Sequence, residues 1–413
     1  MDLLAQINAK RDIGKNGTEF SRNVKRVAVI LTSSRSGSSL VKKILEQHPE
    51  IASLSGETEP FLTLSKNGFG FTSDSDALDQ LVSKDDLLNN IFDDLGVPSS
   101  QLCDVDTIKN RWRKRFLIHF PELFCDDENY KKLLQSLDES LLKVTNGKIK
   151  DEMEIHKIIL NNVFKDEPWR INYYDNYSGA SFVPPFNESH KIEEPPFVTP
   201  SLYKKTFTVE DVNNKVLIFK TPQDCYRIGM YEQLFPNAEI KYIHLTRGYA
   251  QTVNGLIDGW LSPTGFFAHD MEKVKITLKI KGYSDFVEFG KKWWKFDLPP
   301  NWKNFTEASL IDVCANQWIS AHNAIIENKV SCLRIHFEDF ISSPSKITRV
   351  ILEYLGLENM ESPNDLPLVM TVEKPKLYRW QKREKEILAL GERKEITEMM
   401  RLLDYEMDPK TWL

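Results

Sequence analysis

The chain lacks what marks several large classes of protein. Its formal charge is −6 with a pI near 5.9, so it has no basic excess with which an extended surface would displace counterions from nucleic-acid phosphates. Its five cysteines, at 103, 125, 225, 314 and 332, include no C-x-x-C pair. That speaks against a disulfide framework and a zinc site, and fits reduced thiols in a cytoplasm. No uninterrupted apolar run reaches spanning length, and Met1 to Arg26 has no apolar stretch of the secretory kind. The expectation is a soluble, cytoplasmic protein without stable membrane insertion. Internal repeats and low-complexity tracts are absent, and so is the G-x-x-x-x-G-K-[ST] loop of the common nucleotide triphosphatases.

What is present begins with Val27-Ala28-Val29-Ile30-Leu31, a continuous apolar run of the kind a strand buried on both faces requires. A cluster of small residues follows. Leu40, Val41, Ile44 and Leu45 then recur at helical spacing until His48-Pro49. Three more runs read as buried strands, Val216 to Phe219, Ile240 to Leu245 and Leu333 to Phe337, each succeeded by a helix-like stretch. In the last of these, Pro344 stands near the helix start, Ile347, Val350, Ile351, Tyr354 and Leu355 share a face, and Gly356 closes it. Repeated strand–helix alternation predicts an α/β protein of three layers, α/β/α, built on a central parallel sheet. Residues 1–25 read as an arm or short leading helix. Residues 60–215 read as a helical and loop insertion with helical pieces at 86–94, 107–119 and 131–143, and 261–305 as a second insertion carrying Trp293, Trp294, Phe296 and Trp302. Insertions after strand ends are where α/β proteins keep substrate surfaces.

The small-residue cluster, Thr32-Ser33-Ser34-Arg35-Ser36-Gly37-Ser38-Ser39, joins the first strand to its helix. There successive backbone N–H groups can face one anion, the helix N-terminus adds its positive end, and the hydroxyls of Ser38 and Ser39 add donors. Arg35 precedes the glycine and no lysine follows it, and no acidic residue reads as a magnesium holder. A magnesium-dependent kinase or NTPase acting on a small molecule, the rival reading, therefore loses ground.

The segment Ser34-Arg35-Ser36-Gly37-Ser38-Ser39-Leu40, with His48-Pro49-Glu50 and Gly56-Glu57-Thr58 behind it, resembles the opening of the sulfotransferases that use 3′-phosphoadenosine-5′-phosphosulfate, closest to their tyrosylprotein and bacterial branch. Companion segments follow in the same order. Phe219-Lys220-Thr221-Pro222, Leu234-Phe235-Pro236-Asn237-Ala238 and the stretch from Arg247 to Asn254 are similar to the family's middle region. Ile335-His336-Phe337-Glu338-Asp339-Phe340 is similar to its late strand and helix, and Lys374 to Lys382 to its basic, aromatic nucleotide-closing loop. The resemblance spans about 27–59 and 216–383, with nothing recognisable between, and it implies one P-loop-like domain over 1–413 with 370–390 closing over the nucleotide; as an insertion, 60–215 is expected near the acceptor site.

The resemblance also implies roles. Arg35, Ser36, Gly37, Ser38 and Ser39 would hold the 5′ end of the donor, with Arg35 and Lys220 stabilising the sulfonate and the leaving phosphate. Arg247 would grip the 3′-phosphate through two oxygens at once. The family's serine eight residues further on is replaced by Gly255, leaving Asn254, Thr252 or the backbone N–H to substitute, and this departure favours a second rival, a nucleotide binder without turnover. Arg379 and Lys382 would add charge, and Trp380 is either an adenine platform or a core residue. Glu57 is the candidate general base for the acceptor proton, with Glu59, His190 and His269 as understudies. Glu338 and Asp339 follow a strand and read as helix-capping or loop-fixing residues. The acceptor class stays open among a hydroxylated small molecule, lipid, carbohydrate or peptide, and no metal is expected.

Overall fold

Alternation inside the apolar runs decides the layering. In the strand Arg26–Leu31 (β1), Val27, Val29 and Leu31 enter one core while Ala28 and Ile30 enter another on the opposite face. The strand Val216–Phe219 (β5) repeats this, with Leu217 and Phe219 on the first side and Val216 and Ile218 on the second. A strand with no polar face must be covered twice, and burying each such side chain is worth about 1.5–3 kcal/mol. A computed structural model of the chain describes residues 2–78, 80–147, 149–177, 183–185, 191–360, 366–370 and 377–412.

Besides β1 and β5, the main sheet contains Ile51–Ser53 (β2), Gly96–Pro98 (β3), Lys204–Thr206 (β4), Glu239–Thr246 (β6) and Cys332–His336 (β9), in the order β4-β3-β2-β5-β1-β6-β9. The five strands β2, β5, β1, β6 and β9 pair in parallel. β3 and β4 come from the first insertion and extend the edge in antiparallel fashion. His269–Asp270 (β7) and Trp293–Trp294 (β8) form a separate two-stranded ribbon in the second insertion. The fold is thus the expected three-layer α/β/α arrangement, with short antiparallel strands that the sequence reading left as loop.

On one side of the sheet the core is closed by Leu3–Arg11, through Leu4 and Ile7, and by the insertion helices Lys84–Asp94, Val105–His119, Asp127–Gly147 and Glu152–Val163. The other side is covered by Ser38–Leu45 and Pro344–Leu355, whose apolar stripes contain Val41 and Ile44, and Ile351, Leu352 and Leu355. A further core gathers the helices Tyr249–Leu261, Leu310–Glu327, Glu384–Gly391 and Lys394–Leu402 with the aromatics of the second insertion. Phe337, expected to end a strand, instead begins the helix Phe337–Ser342. No described helix is long and apolar enough to cross a membrane.

Candidate active site

The parallel strands β2, β5, β1 and β6 are neighbours, so the chain leaves all four at the same edge of the sheet, where α/β proteins bind ligands. The segments beyond those ends carry Glu57 after β2, Lys220 after β5, the serine-rich loop after β1 and Arg247 after β6. Topology therefore gathers residues that stand far apart in the sequence.

The loop from Thr32 to Gly37 is braced internally, with Ser33 Oγ and Ser36 Oγ 2.6 Å apart. None of the backbone N–H groups from Ser34 to Ser39 donates a hydrogen bond among the described residues. Gly37 has φ 85° and stands at the N-cap of Ser38–Leu45. A Cβ there would lie 2.2 Å from the Phe337 ring, so both the left-handed backbone and the close approach demand glycine. Arg35 also has positive φ, 66°, an uncommon conformation for a residue with a side chain. Its guanidinium stacks over Phe266 at 5.1 Å and donates from Nη1 to the carbonyl of Met370 at 2.9 Å.

Arg247 lies against this loop. It donates from Nη1 to the carbonyl of Arg35 at 3.1 Å, stacks over Phe337 at 5.0 Å, and its own carbonyl accepts from Trp318 Nε1 at 3.0 Å. The following residue is held by Glu338, which accepts from Gly248 N at 3.1 Å and from the Tyr405 hydroxyl at 2.8 Å. Neither Arg35 nor Arg247 has an ion-pair partner among the described residues, and Arg35 Nε makes no hydrogen bond. Burial, and then the like charges of Arg247 and Arg379, push the Arg35 guanidinium down to about 10. Burial also lowers Arg247. Desolvated, mutually repelling cations of this kind favour an anion between them.

Gly255 is beside the same guanidinium, in the helix Tyr249–Leu261: a Cβ there would make ordinary contacts with Arg35, 3.6 Å from its Cβ and 3.9 Å from its Nε. Asn254 accepts from Arg383, and Thr252 is fully buried with no hydrogen bond to its hydroxyl among the described residues. One turn further along, Asp258 collects Arg379 at 2.7 Å, Lys382 at 3.0 Å and Arg383 at 2.8 Å, anchoring the basic segment next to Arg35. Asp258 and Arg383 escaped the sequence reading, because nothing in their local pattern distinguishes a tertiary ion pair from solvated charge. Trp380 is 2 % exposed, donates to the Trp412 carbonyl at 3.1 Å and meets the Trp412 ring edge-on, the geometry of a core residue.

On the other flank, Lys220 donates from Nζ to Ser39 Oγ at 3.1 Å and forms an ion pair with Glu57. One ammonium thus joins the serine loop to the candidate base. The Glu57 segment is fixed from below by the first insertion. Asp94 accepts from Ser55 N at 2.8 Å and pairs with Arg115 at 2.6 Å, and Arg115 also grips Glu193 at 2.8 and 3.0 Å. A Cβ on Gly56 would come within 2.5 Å of Glu193 Oε1. Burial works to raise the Glu193 carboxyl, but Arg115 and His119 overcome it and hold it at about 2. Thr58 is locked to Thr221 through hydroxyls 2.8 Å apart. A cavity of about 160 Å³ borders the Asp94–Arg115 pair and is lined also by Arg11, Arg111 and Lys114; Arg35, Lys220 and Arg247 do not line it.

The remaining candidates separate. Glu59 pairs with Arg227 at 2.8 Å, and His269 is buried with Nε2 2.8 Å from Asp76 Oδ1. His190, Lys374, Pro375 and Lys376 lie outside the described residues. Trp294, Phe296 and Trp302 are core residues, so the aromatics of the second insertion build its interior. Among the described residues no group of three or more His, Cys, Asp or Glu side chains is arranged to hold a metal ion.

No protein-family model matches the chain, and no curated protein matches it. Solved structures with some likeness include a sulfotransferase domain from the curacin biosynthetic pathway, at 13% identity over 93% of this chain and 99% of that one, with a TM-score of 0.39. Others are a sulfotransferase from Alicyclobacillus acidocaldarius, at 10% identity over 92% and 97% of the two chains with a TM-score of 0.33, and a sulfotransferase domain from the Synechococcus PCC 7002 olefin synthase, at 12% identity over 95% and 87% with a TM-score of 0.31.

Proposed function

We propose that the protein is a sulfotransferase that takes the sulfuryl group of 3′-phosphoadenosine-5′-phosphosulfate and joins it to an acceptor hydroxyl. One observation carries the reading: the unengaged N–H groups of residues 34–39 lie beside two guanidinium groups, Arg35 and Arg247, that have no counter-ion among the described residues and are linked through one backbone carbonyl. A ligand with phosphates at both ends suits that pairing. The serine loop and Lys220 would hold the 5′ side, while Arg247, with Arg35, would hold the 3′-phosphate, helped by the Gly255 backbone and the Arg379 and Lys382 side chains.

The donor supplies an activated sulfur. Glu57 takes the acceptor's hydroxyl proton as the new oxygen–sulfur bond forms and the bond from sulfur to the 5′-phosphate oxygen breaks. Negative charge then grows on the leaving phosphate, and Lys220, Arg35 and the loop N–H groups stabilise it there, which is where catalysis of such loose transfers comes from. Lys220 is held between Ser39 and Glu57 and so serves both partners of the exchange. A cytoplasmic setting suits the five free cysteines.

Calorimetry with adenosine 3′,5′-bisphosphate, with and without magnesium, tests the donor half, and transfer of labelled sulfuryl from the donor to a panel of hydroxylated acceptors tests the chemistry. Binding that persists without magnesium, with label appearing on an acceptor, is expected. ATP hydrolysis without affinity for the bisphosphate would overturn the proposal in favour of an NTPase.

A further inference from the structure

The segment from Lys191 to Phe197 runs between the two halves of the site. At its start the N–H groups of Ile192 and Glu193 donate to the Ile118 carbonyl at 2.9 and 3.3 Å, and Glu193 is fixed by Arg115 beneath Gly56. Further on, the Pro195 carbonyl accepts from Phe266 N at 2.6 Å, and the Phe266 ring carries the Arg35 guanidinium. Glu194 is therefore pinned from both sides between the Glu57 loop and the Arg35 platform. Its Oε2 is shut from solvent and has no hydrogen-bond partner among the described residues.

The neighbouring charges make this carboxyl an exception. Glu57 is paired with Lys220, Glu59 with Arg227 and Asp76 with His269. The cation nearest in effect, Lys295, donates to the carbonyls of Gly259, Ser262 and Gly265. Burial, followed by the fields of Glu57, Glu59 and Asp76, pushes the Glu194 carboxyl well above the usual range, against the opposing charge of Lys295. A buried polar group without a partner is costly and rare in a native protein, and this one follows Glu193, which stands against Gly56 in the loop of the carboxylate proposed to activate the acceptor. What it lacks is a cation.

We infer that Glu194 selects the acceptor by receiving a cationic, hydrogen-bond-donating group from it, so that the acceptor class is a hydroxylated amine whose ammonium meets Glu194 while its hydroxyl faces Glu57. This rests on the transfer reading above for the position of the hydroxyl, although the charge preference stands as a binding property of its own. An acceptor bearing a carboxylate or sulfate in place of that ammonium would meet the Glu194 carboxyl and is disfavoured.

Tyramine and 4-hydroxyphenylpropionate share a ring and a hydroxyl but carry opposite charges, and they serve as matched probes. Calorimetric titration of each into the full chain, nucleotide-free and with adenosine 3′,5′-bisphosphate, is expected to show tyramine binding at least tenfold more tightly, the margin of one hydrogen-bonded charge pair. In Glu194→Gln, which keeps the side-chain volume and loses no hydrogen bond at Oε2, the preference should fall to within about threefold while nucleotide affinity is unchanged. Equal binding of the two probes, no tyramine heat in either state, or a preference that survives Glu194→Gln overturns the inference. A wild-type protein that prefers tyramine yet takes up no bisphosphate refutes the transfer reading and leaves the charge selection standing.

Discussion

Arg247 donates from Nη1 to the carbonyl of Arg35 at 3.1 Å, so the two guanidinium groups most suited to phosphate are fixed to one another through the loop backbone. The contact sets Arg247 relative to the N–H groups of residues 34–39, and a ligand that fills one place is aligned with the other. Lysine at 247 keeps a charge but loses the planar fork that grips two phosphate oxygens and holds the carbonyl as well. Arg247→Lys should weaken adenosine 3′,5′-bisphosphate by roughly 10–100-fold, the worth of one charged hydrogen-bond set. Adenosine 5′-monophosphate, which lacks the 3′ group, should lose less than about threefold by the same reasoning. Parallel titrations check this, and equal losses for both ligands would place Arg247 at the wrong end.

The two glycines of the site should answer oppositely to a side chain. At Gly255 a Cβ makes ordinary contacts, 3.6 and 3.9 Å from Arg35 atoms, inside a helix where glycine costs about 0.5–1 kcal/mol relative to alanine. Gly255→Ser should raise Tm slightly and bind the bisphosphate at least as well as wild type. Gly37→Ala must seat a Cβ 2.2 Å from the Phe337 ring at φ 85°, and it should abolish nucleotide binding and lower Tm. Thermal melts and calorimetry on both variants decide, and a tolerated Gly37→Ala would remove the loop from the site.

How much of this was legible follows from burial and range. The runs at 27–31 and 216–219 stood out because strands covered on both faces carry no polar residue, those at 240–245 and 333–337 showed through their apolar residues although Lys241, His244, Arg334 and His336 interrupt them, and the insertion helices near 86–94, 107–119 and 131–143 showed their apolar spacing. β2, β3 and β4 have three residues each, too few for any period to show. Arg35, Lys220 and Arg247 were visible through local motifs. Asp258, Arg383, Glu193 and Glu194 were not, because each matters through a partner or neighbour distant in sequence. Trp380 was ambiguous until its ring met Trp412, since the same residue type serves platforms and cores.

Glu57 is tied to Lys220, and among the described residues its hydrogen-bonded link to the serine loop runs through that ammonium. Its replacement should therefore act on the chemical step. Glu57→Gln is expected to lower kcat by about 10²–10⁴, the range of a lost general base, while bisphosphate affinity stays within about twofold. Stopped transfer assays under saturating donor measure the first and calorimetry the second. A Glu57→Gln enzyme with wild-type kcat would pass the role of base to another carboxylate.

Glu193 should govern the acid limb of stability. It is buried and held at about 2, below its ordinary 4.5, so the folded state binds its proton less readily than the unfolded chain. The stabilisation is complete above pH 4.5 and is lost as pH falls toward 2. The difference corresponds to about 3 kcal/mol. Glu193→Gln should lose about that much at neutral pH, because Arg115 keeps Asp94 but gives up its second carboxylate, and its stability should fall less steeply below pH 4.5. Denaturant melts from acid to neutral pH test both, and parallel acid limbs would show that Glu193 carries no such coupling.

For Glu194 the linkage runs the other way. Its carboxyl is raised above 4.5 by burial and by Glu57, Glu59 and Asp76, so the folded chain holds this proton more tightly than the unfolded one. Its contribution is neutral at low pH and turns destabilising as pH climbs from 4.5 toward the folded value, losing about 1.4 kcal/mol for every pH step of one across that window. Glu194→Gln removes that cost and should be more stable than wild type at neutral pH, with the gap closing in mild acid. Few carboxyl-to-amide substitutions behave so, and the pattern separates a residue kept for binding from one kept for packing. Tyramine should narrow the gap by stabilising only the wild type. A Glu194→Gln variant less stable than wild type at neutral pH would mean that the carboxylate has a structural partner after all.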